Sequence, residues 1–276
     1  MRGNGGRMQE WTKYAALFVL AVAAFGVAAI ALMGPQGGGE AVPVTASASV
    51  ATPTAPASVA PTSPAPALSA TATAPQPGIE LPAEPVLLIM GDSYTAGVGA
   101  DQPDRGWAYL VAGQLGYPTN IDGVSGTGFA WGGGGQDELA GEYEIRLREI
   151  AANPAFVPNV LVLQGGQNDS QVPNAEEVTA ATAQTIEAAR RFWPGVQVVV
   201  LGPSAPQPLA EELRGVNSAV RAGAAAAGAP FIDAIEAGWF TTANSPGFDA
   251  DGAHPNSAGH AYMAEKFLES WSSLTR

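Results

Sequence analysis

Ser93 lies in Gly91-Asp92-Ser93-Tyr94-Thr95-Ala96-Gly97, a small polar turn that begins where an apolar run ends. A serine in such a turn projects its hydroxyl into a crevice and not into the core. At neutral pH that hydroxyl is a poor nucleophile unless a base sits beside it. The chain has two histidines, His254 and His260, so any histidine-dependent catalysis runs through one of them. It has no cysteine, which excludes a thiol nucleophile, disulfides and thiolate metal sites. Two histidines argue against a multi-histidine metal site. No nucleotide or flavin motif is present, and no metal or cofactor is expected.

The elements that must position these groups are legible from periodicity. Val86 to Met90, bounded by Pro85 and Gly91, is a short continuous apolar run, as are Asn159–Gln164 (NVLVLQ) and Gln197–Leu201 (QVVVL). Such runs read as strands buried on both faces. Pro118 to Val124 is a weaker strand, and Pro230 to Asp233 a short one. Helices are expected over Arg105–Leu115, Glu138–Ala152, Ala175–Trp193, Leu209–Ala227 and Ser257–Leu274, with Ser257 as the N-cap of the last. Residues 234–256 read as irregular. Apolar strands alternating with helices imply a mostly parallel sheet covered on both faces, a three-layer α/β/α (flavodoxin-like) fold. In a parallel sheet all carboxyl ends lie on one side, where ligands bind. Ser93, Gly126, Asn168 and the Asp251–His254 loop all fall at such ends or in loops, so residues far apart in sequence can converge.

Four blocks in this order resemble the SGNH hydrolases, the GDSL-type esterase/lipase superfamily, over residues 85–274. They are Gly91-Asp92-Ser93-Tyr94, with Tyr where Leu is usual; Gly126 in Val124-Ser125-Gly126-Thr127; Gly166-Gln167-Asn168-Asp169; and Asp251-Gly252-Ala253-His254-Pro255. Gly123 and Gly128 compete with Gly126 for the second block. The resemblance implies that Ser93 attacks an acyl carbonyl, that His254 is its base, and that Asp251 orients the imidazole. The oxyanion donors it implies are the backbone N–H groups of Ser93 and Gly126 and the side-chain amide of Asn168. On this reading the chain is a hydrolase of carboxylic esters with no metal or cofactor.

Plainer roles compete at several positions. Ser93 could simply cap the following segment, and Asp249 is a rival to Asp251. Asp92 and Asp169 are read as holding turns, and His260 as structural or surface. Phe129, Trp131 and Trp239 fit either a substrate pocket or the core, and Gly132–Gly135 reads as a flexible loop.

The N-terminal third has a different character. Residues 1–13 carry Arg2, Arg7 and Lys13, and Tyr14 to Met33 is an uncharged apolar stretch of 20 residues. At about 1.5 Å per residue that stretch matches a hydrocarbon core roughly 30 Å thick. It is expected to be a single-pass membrane anchor or an uncleaved signal with the basic end in the cytoplasm. If the stretch is cleaved as a signal peptide, the protein is secreted. Residues 34–83 form a Pro/Ala/Thr/Ser-rich, disordered linker, which places the 84–276 domain outside the cytoplasm.

From Glu84 onward the chain holds nine Lys/Arg against twenty-two Asp/Glu, so that domain alone carries the whole net charge of −13. Nucleic acid is therefore an unsuitable partner. The expected partners are a small-molecule or glycan ester and, through the N-terminal helix, a membrane; the catalytic unit is expected to be monomeric. An O-acyltransferase using the same triad, or a non-catalytic tethered carbohydrate-binding module, would fit the same features.

Overall fold

The computed structural model describes residues 77–134 and 141–275. The basic segment 1–13, the apolar stretch 14–33 and the linker as far as residue 76 lie outside the described residues. Among the described residues no helix is long and apolar enough to cross a membrane. Ile79, which the composition assigns to the linker, is buried and donates its N–H to the Leu274 carbonyl at 2.9 Å.

Five parallel strands form one sheet in the order β2-β1-β3-β4-β5. They are β1 (Leu87–Gly91), β2 (Thr119–Gly123), β3 (Val160–Gln164), β4 (Gln197–Leu201) and β5 (Phe231–Ile232). The continuous apolar runs follow from this topology. Leu87, Ile89, Val160, Val162, Val199 and Leu201 enter one core, and Leu88, Met90, Leu161, Leu163, Val198 and Val200 enter the other. Alternate residues face opposite layers, and both layers are covered by helices, so the strand interiors are apolar on both faces and the buried polar Gln164 falls at the end of β3. Strand β2 (TNIDG) reads weakly because it is the sheet edge and stays partly exposed.

Helices α2 (Trp107–Leu115) and α8 (Ser257–Leu274) pack on the first face, with Trp107, Val111, Met263, Phe267 and Trp271 in that core. Helices α3 (Tyr143–Ala151), α4 (Ala175–Phe192) and α6 (Arg214–Ala226) cover the second, through Tyr143, Leu147, Val178, Ile186, Val220 and Ala224. Strand order reverses between β1 and β3, and the crevice at their carboxyl ends is where ligands bind in open α/β sheets. Ser93 follows β1 and Asn168 follows β3.

Several boundaries differ from the periodicity. The helix expected to start at Arg105 starts at Trp107, because Gly106 is extended (φ −64°, ψ 149°) after a 3-10 turn at Pro103–Arg105. The helix expected over 209–227 is two: α5 (Leu209–Glu212) and α6, divided at Leu213 (ψ −3°). Arg214, just past the break, pairs with both Glu211 and Glu236. The irregular stretch 234–256 contains the short α7 (Ser245–Phe248). The cap of α8 is Asn256 and not Ser257: the Asn256 side chain accepts from Gly259 N–H at 3.0 Å. Ser257 Oγ instead accepts from Asp101 N–H at 2.9 Å and donates to its carboxylate at 2.8 Å.

His260 is a core histidine, fully buried. Its Nδ1 accepts from the Trp107 N–H at 3.3 Å, so the ring proton resides on Nε2, which donates to the Val98 carbonyl at 2.9 Å. Burial pushes its pKa below the ordinary histidine value, partly offset by the Val98 bond. A second proton on the ring would break the Trp107 contact. The unfolded chain takes up that proton near pH 6.5 while the folded chain resists it, so this group's stability contribution is full above about pH 6.5 and falls as pH drops below it. Thermal unfolding between pH 7.5 and 5.5 should therefore show a steeper loss of Tm in the native protein than in His260→Gln; parallel slopes would refute this assignment.

Candidate active site

The nucleophile position is built by a tight strand-to-helix turn. After β1, the Asp92 carboxylate caps α1 (Ser93–Ala96) by accepting from Tyr94 N–H at 2.9 Å, and Gly97 closes that helix in the left-handed conformation (φ 81°). The capping role therefore belongs to Asp92 and not to Ser93, which is itself largely buried. Ser93 is the first residue of the helix, where a backbone N–H has no intrahelical acceptor.

The irregular segment before α8 brings the histidine to this turn. His254 Nε2 lies 3.0 Å from Ser93 Oγ. On the other side of the ring, Nδ1 lies 2.9 Å from Asp251 Oδ2 and 3.2 Å from Oδ1. Asp251 Oδ1 also accepts from the backbone N–H groups of Ala253 and His254, at 3.0 and 2.8 Å. Partial burial alone would raise the Asp251 pKa, but the His254 ring and these N–H groups outweigh it and hold the carboxyl below the usual carboxylate range. The rival Asp249 faces the loop backbone, accepting from the N–H groups of Asp251 (3.2 Å) and Gly252 (2.8 Å).

The oxyanion candidates meet through one residue. Gly126 sits at φ 82° with open space around its α-carbon. Its two competitors are closed in. A Cβ on Gly123 would meet Ala96 N at 2.3 Å, and one on Gly128 would meet the Asp169 carboxylate at 2.4 Å. Asn168 Nδ2 donates to the Thr127 carbonyl at 2.9 Å, which fixes the amide plane and leaves its second N–H. The Gly126 turn hangs from the end of β1 through Val124 N–H to the Gly91 carbonyl, at 3.0 Å.

The flanking acids do hold turns. Asp169 accepts from the N–H groups of Phe129 (3.1 Å) and Ala130 (2.7 Å), tying the loop after β3 to the loop after β2. Asp92 is fully buried with Oδ2 unpartnered, and burial pushes its pKa up to about 7. Phe129 and Trp239 belong to the two cores, while Trp131 is half-buried on the loop beside Gly126. Residues 132–134 of the glycine run continue that loop; Gly135 lies outside the described residues.

One contact was invisible to sequence reasoning. Tyr94, which departs from the usual Leu, is buried and donates its hydroxyl to the Ala253 carbonyl, while its ring packs 5.7 Å from that of His254. Burial, aided by the nearby Asp92, Asp251 and Asp249 charges, holds this phenol well above its usual pKa, so it remains a donor. Its signal was a polar aromatic in a position that otherwise takes an aliphatic.

Serine, histidine and aspartate in this chain of hydrogen bonds can transfer an acyl group. Similarity to known proteins agrees with that chemistry. Residues 89–262 match the GDSL-like lipase/acylhydrolase family model. The chain is 30% identical over 193 residues to a GDSL lipase of Mycobacterium tuberculosis, covering 65% of this chain and 78% of that one. Its fold is similar to a carbohydrate esterase family 2 enzyme with a carbohydrate-binding domain from Corynascus thermopiles (Myceliophthora fergusii), with a TM-score of 0.55 and 19% identity, over 72% of this chain and 68% of that one. It is also similar to a family two carbohydrate esterase from Clostridium thermocellum in complex with cellohexaose, with a TM-score of 0.52 and 21% identity, over 73% and 66% of the two chains. The chain belongs to the GDSL-like lipase/acylhydrolase family and is a serine hydrolase of ester bonds.

Proposed function

We propose that this protein is an extracytoplasmic esterase that removes acyl or acetyl groups from cell-envelope glycans through a Ser93–His254–Asp251 triad. The observation that carries this reading is the continuous bond from Ser93 Oγ through the His254 ring to Asp251, at 3.0 and 2.9 Å. As Ser93 Oγ attacks the ester carbonyl, its proton passes to His254 Nε2. Asp251 stays ionised and stabilises the imidazolium through Nδ1–H. The N–H groups of Ser93 and Gly126 and the Asn168 amide receive the negative charge on the carbonyl oxygen. Collapse of the tetrahedral intermediate expels the alkoxide, which takes the proton from Nε2, and leaves an acyl group on Ser93. Water then attacks that ester with His254 again as base, releasing the acid and the free serine.

The glycan substrate is supported by the openness of the site and by the chain around it. The side chains of His254 and Asp251 are 23% and 51% exposed, a rim that a polymer can approach from solvent. The apolar stretch 14–33 and the Pro/Ala-rich segment after it suit a tether that holds the domain away from a membrane. The fold-level likeness to carbohydrate esterases points the same way.

In full-length protein, Ser93→Ala should lower turnover of a short-chain p-nitrophenyl ester by about 10⁴-fold or more without unfolding. A fluorophosphonate should label Ser93 in the native protein; turnover by the alanine variant at the native rate would end the assignment. Across a substrate panel, acetylated glycans should be preferred over long-chain esters, and the reverse order would replace the glycan by a lipid. Asp251→Asn should cost about 10²–10⁴-fold in kcat, whereas Asp249→Asn, which keeps an acceptor for the loop N–H groups, should cost far less. Equal losses would return Asp249 to candidacy.

A further inference from the structure

Arg146 interrupts the buried stripe of α3, standing between Tyr143 and Leu147, and is itself 5% exposed. A buried guanidinium is costly unless its donors are matched, and it has five N–H groups. All five are engaged. Nε donates to Asp122 Oδ2 at 3.1 Å, and Nη2 to the same oxygen at 2.8 Å and to the Asp122 carbonyl at 2.6 Å. Nη1 donates to the Gly91 carbonyl at 3.1 Å and to Thr127 Oγ1 at 2.8 Å. The Tyr143 ring lies against the cation, 5.2 Å from its centroid.

An ion pair with Asp122 would need only Nε and Nη2. The other two bonds go to the strand end two residues before Ser93 and to the residue immediately after Gly126. Thr127 passes the constraint on. Its hydroxyl accepts from Arg146 and donates to the Val124 carbonyl at 2.7 Å, closing the turn around Gly126. Its carbonyl receives the Asn168 amide at 2.9 Å. One rigid, planar cation thus sets the spacing between the nucleophile's strand, the Gly126 turn and, through Thr127, the Asn168 side chain.

We infer that Arg146, acting through Thr127, is a positioning residue that preorganises the oxyanion donors of this esterase. The inference rests on the proposed roles of Ser93, Gly126 and Asn168. Such donors act only when they are already aimed at the charge that develops in the transition state, so slackening their support should slow the acyl-transfer step more than it weakens substrate binding. A lysine at 146 keeps the charge but offers three donors without the planar fork and cannot reach all three elements.

The test uses full-length protein and steady-state ester hydrolysis, with kcat expressed per site labelled to completion by fluorophosphonate. Thr127→Val and Arg146→Lys should each lower kcat about 10–100-fold with KM changed less than about threefold. Thr127→Ser, which restores the hydroxyl, should recover kcat to within about threefold of the native protein. Native kcat per labelled site in Thr127→Val, with any loss confined to Tm, would overturn the inference and leave Arg146 a structural ion pair; so would a Thr127→Ser variant as slow as Thr127→Val. If Arg146→Lys does not fold, the two Thr127 variants decide. Ser93→Ala, measured alongside, separates the two levels: an active Ser93→Ala protein refutes the site itself, whereas an inactive one beside a native-like Thr127→Val refutes only the positioning role.

Discussion

The bond between His254 Nε2 and Ser93 Oγ joins residues 161 apart in the chain. A single hydrogen bond contributes on the order of 1 kcal/mol net, too little to hold two segments of a protein in register. The surroundings hold them. Tyr94 binds the Ala253 carbonyl, Asp101 binds Ser257, and His260 binds both Val98 and the Trp107 N–H. These contacts stitch the turn after β1 to the start of α8, with Trp107 and Phe267 packed 5.2 Å apart beneath them. The serine and the histidine are neighbours because the elements carrying them are locked together.

Burial assigns different electrostatic states to similar side chains at this end of the sheet. Asp251, half exposed and surrounded by donors, is held ionised. Asp92, next to the nucleophile but sealed from solvent with one oxygen unpartnered, is pushed towards neutrality at pH 7. Asp169 is also raised by burial, with the loop N–H groups it receives working against that rise. One carboxylate can serve as a charge partner for the imidazole, while the other two serve the architecture.

Much of the fold was legible because parallel strands buried on both faces leave an uninterrupted apolar signature: NVLVLQ and QVVVL could be little else. The edge strand Thr119–Gly123 was faint because one side of it meets solvent. Helix ends depart from the local pattern where tertiary bonds override local preference. Ser257 has a good capping side chain, but it is recruited by Asp101, and the adjacent Asn256 caps α8 instead. The break at Leu213 leaves no mark in the apolar periodicity of 209–227. The roles of Arg146, Thr127 and Tyr94 depend on contacts between distant positions, 19 apart for Arg146–Thr127 and 159 for Tyr94–Ala253, which local patterning does not report.

Residue types and their order sufficed to establish the chemistry available to this protein: a serine in the turn after the first apolar strand, two histidines, no thiol, and an Asp-x-x-His pair whose short spacing lets both side chains share one loop. They also determined the layered architecture, because the period of apolar residues is a local property of the chain. Tertiary structure decided which histidine reaches Ser93, which aspartate reaches that histidine, and which of three nearby glycines faces open space. Those choices depend on the relative positions of segments far apart in the chain, which are set only when the sheet, α3 and α8 pack together.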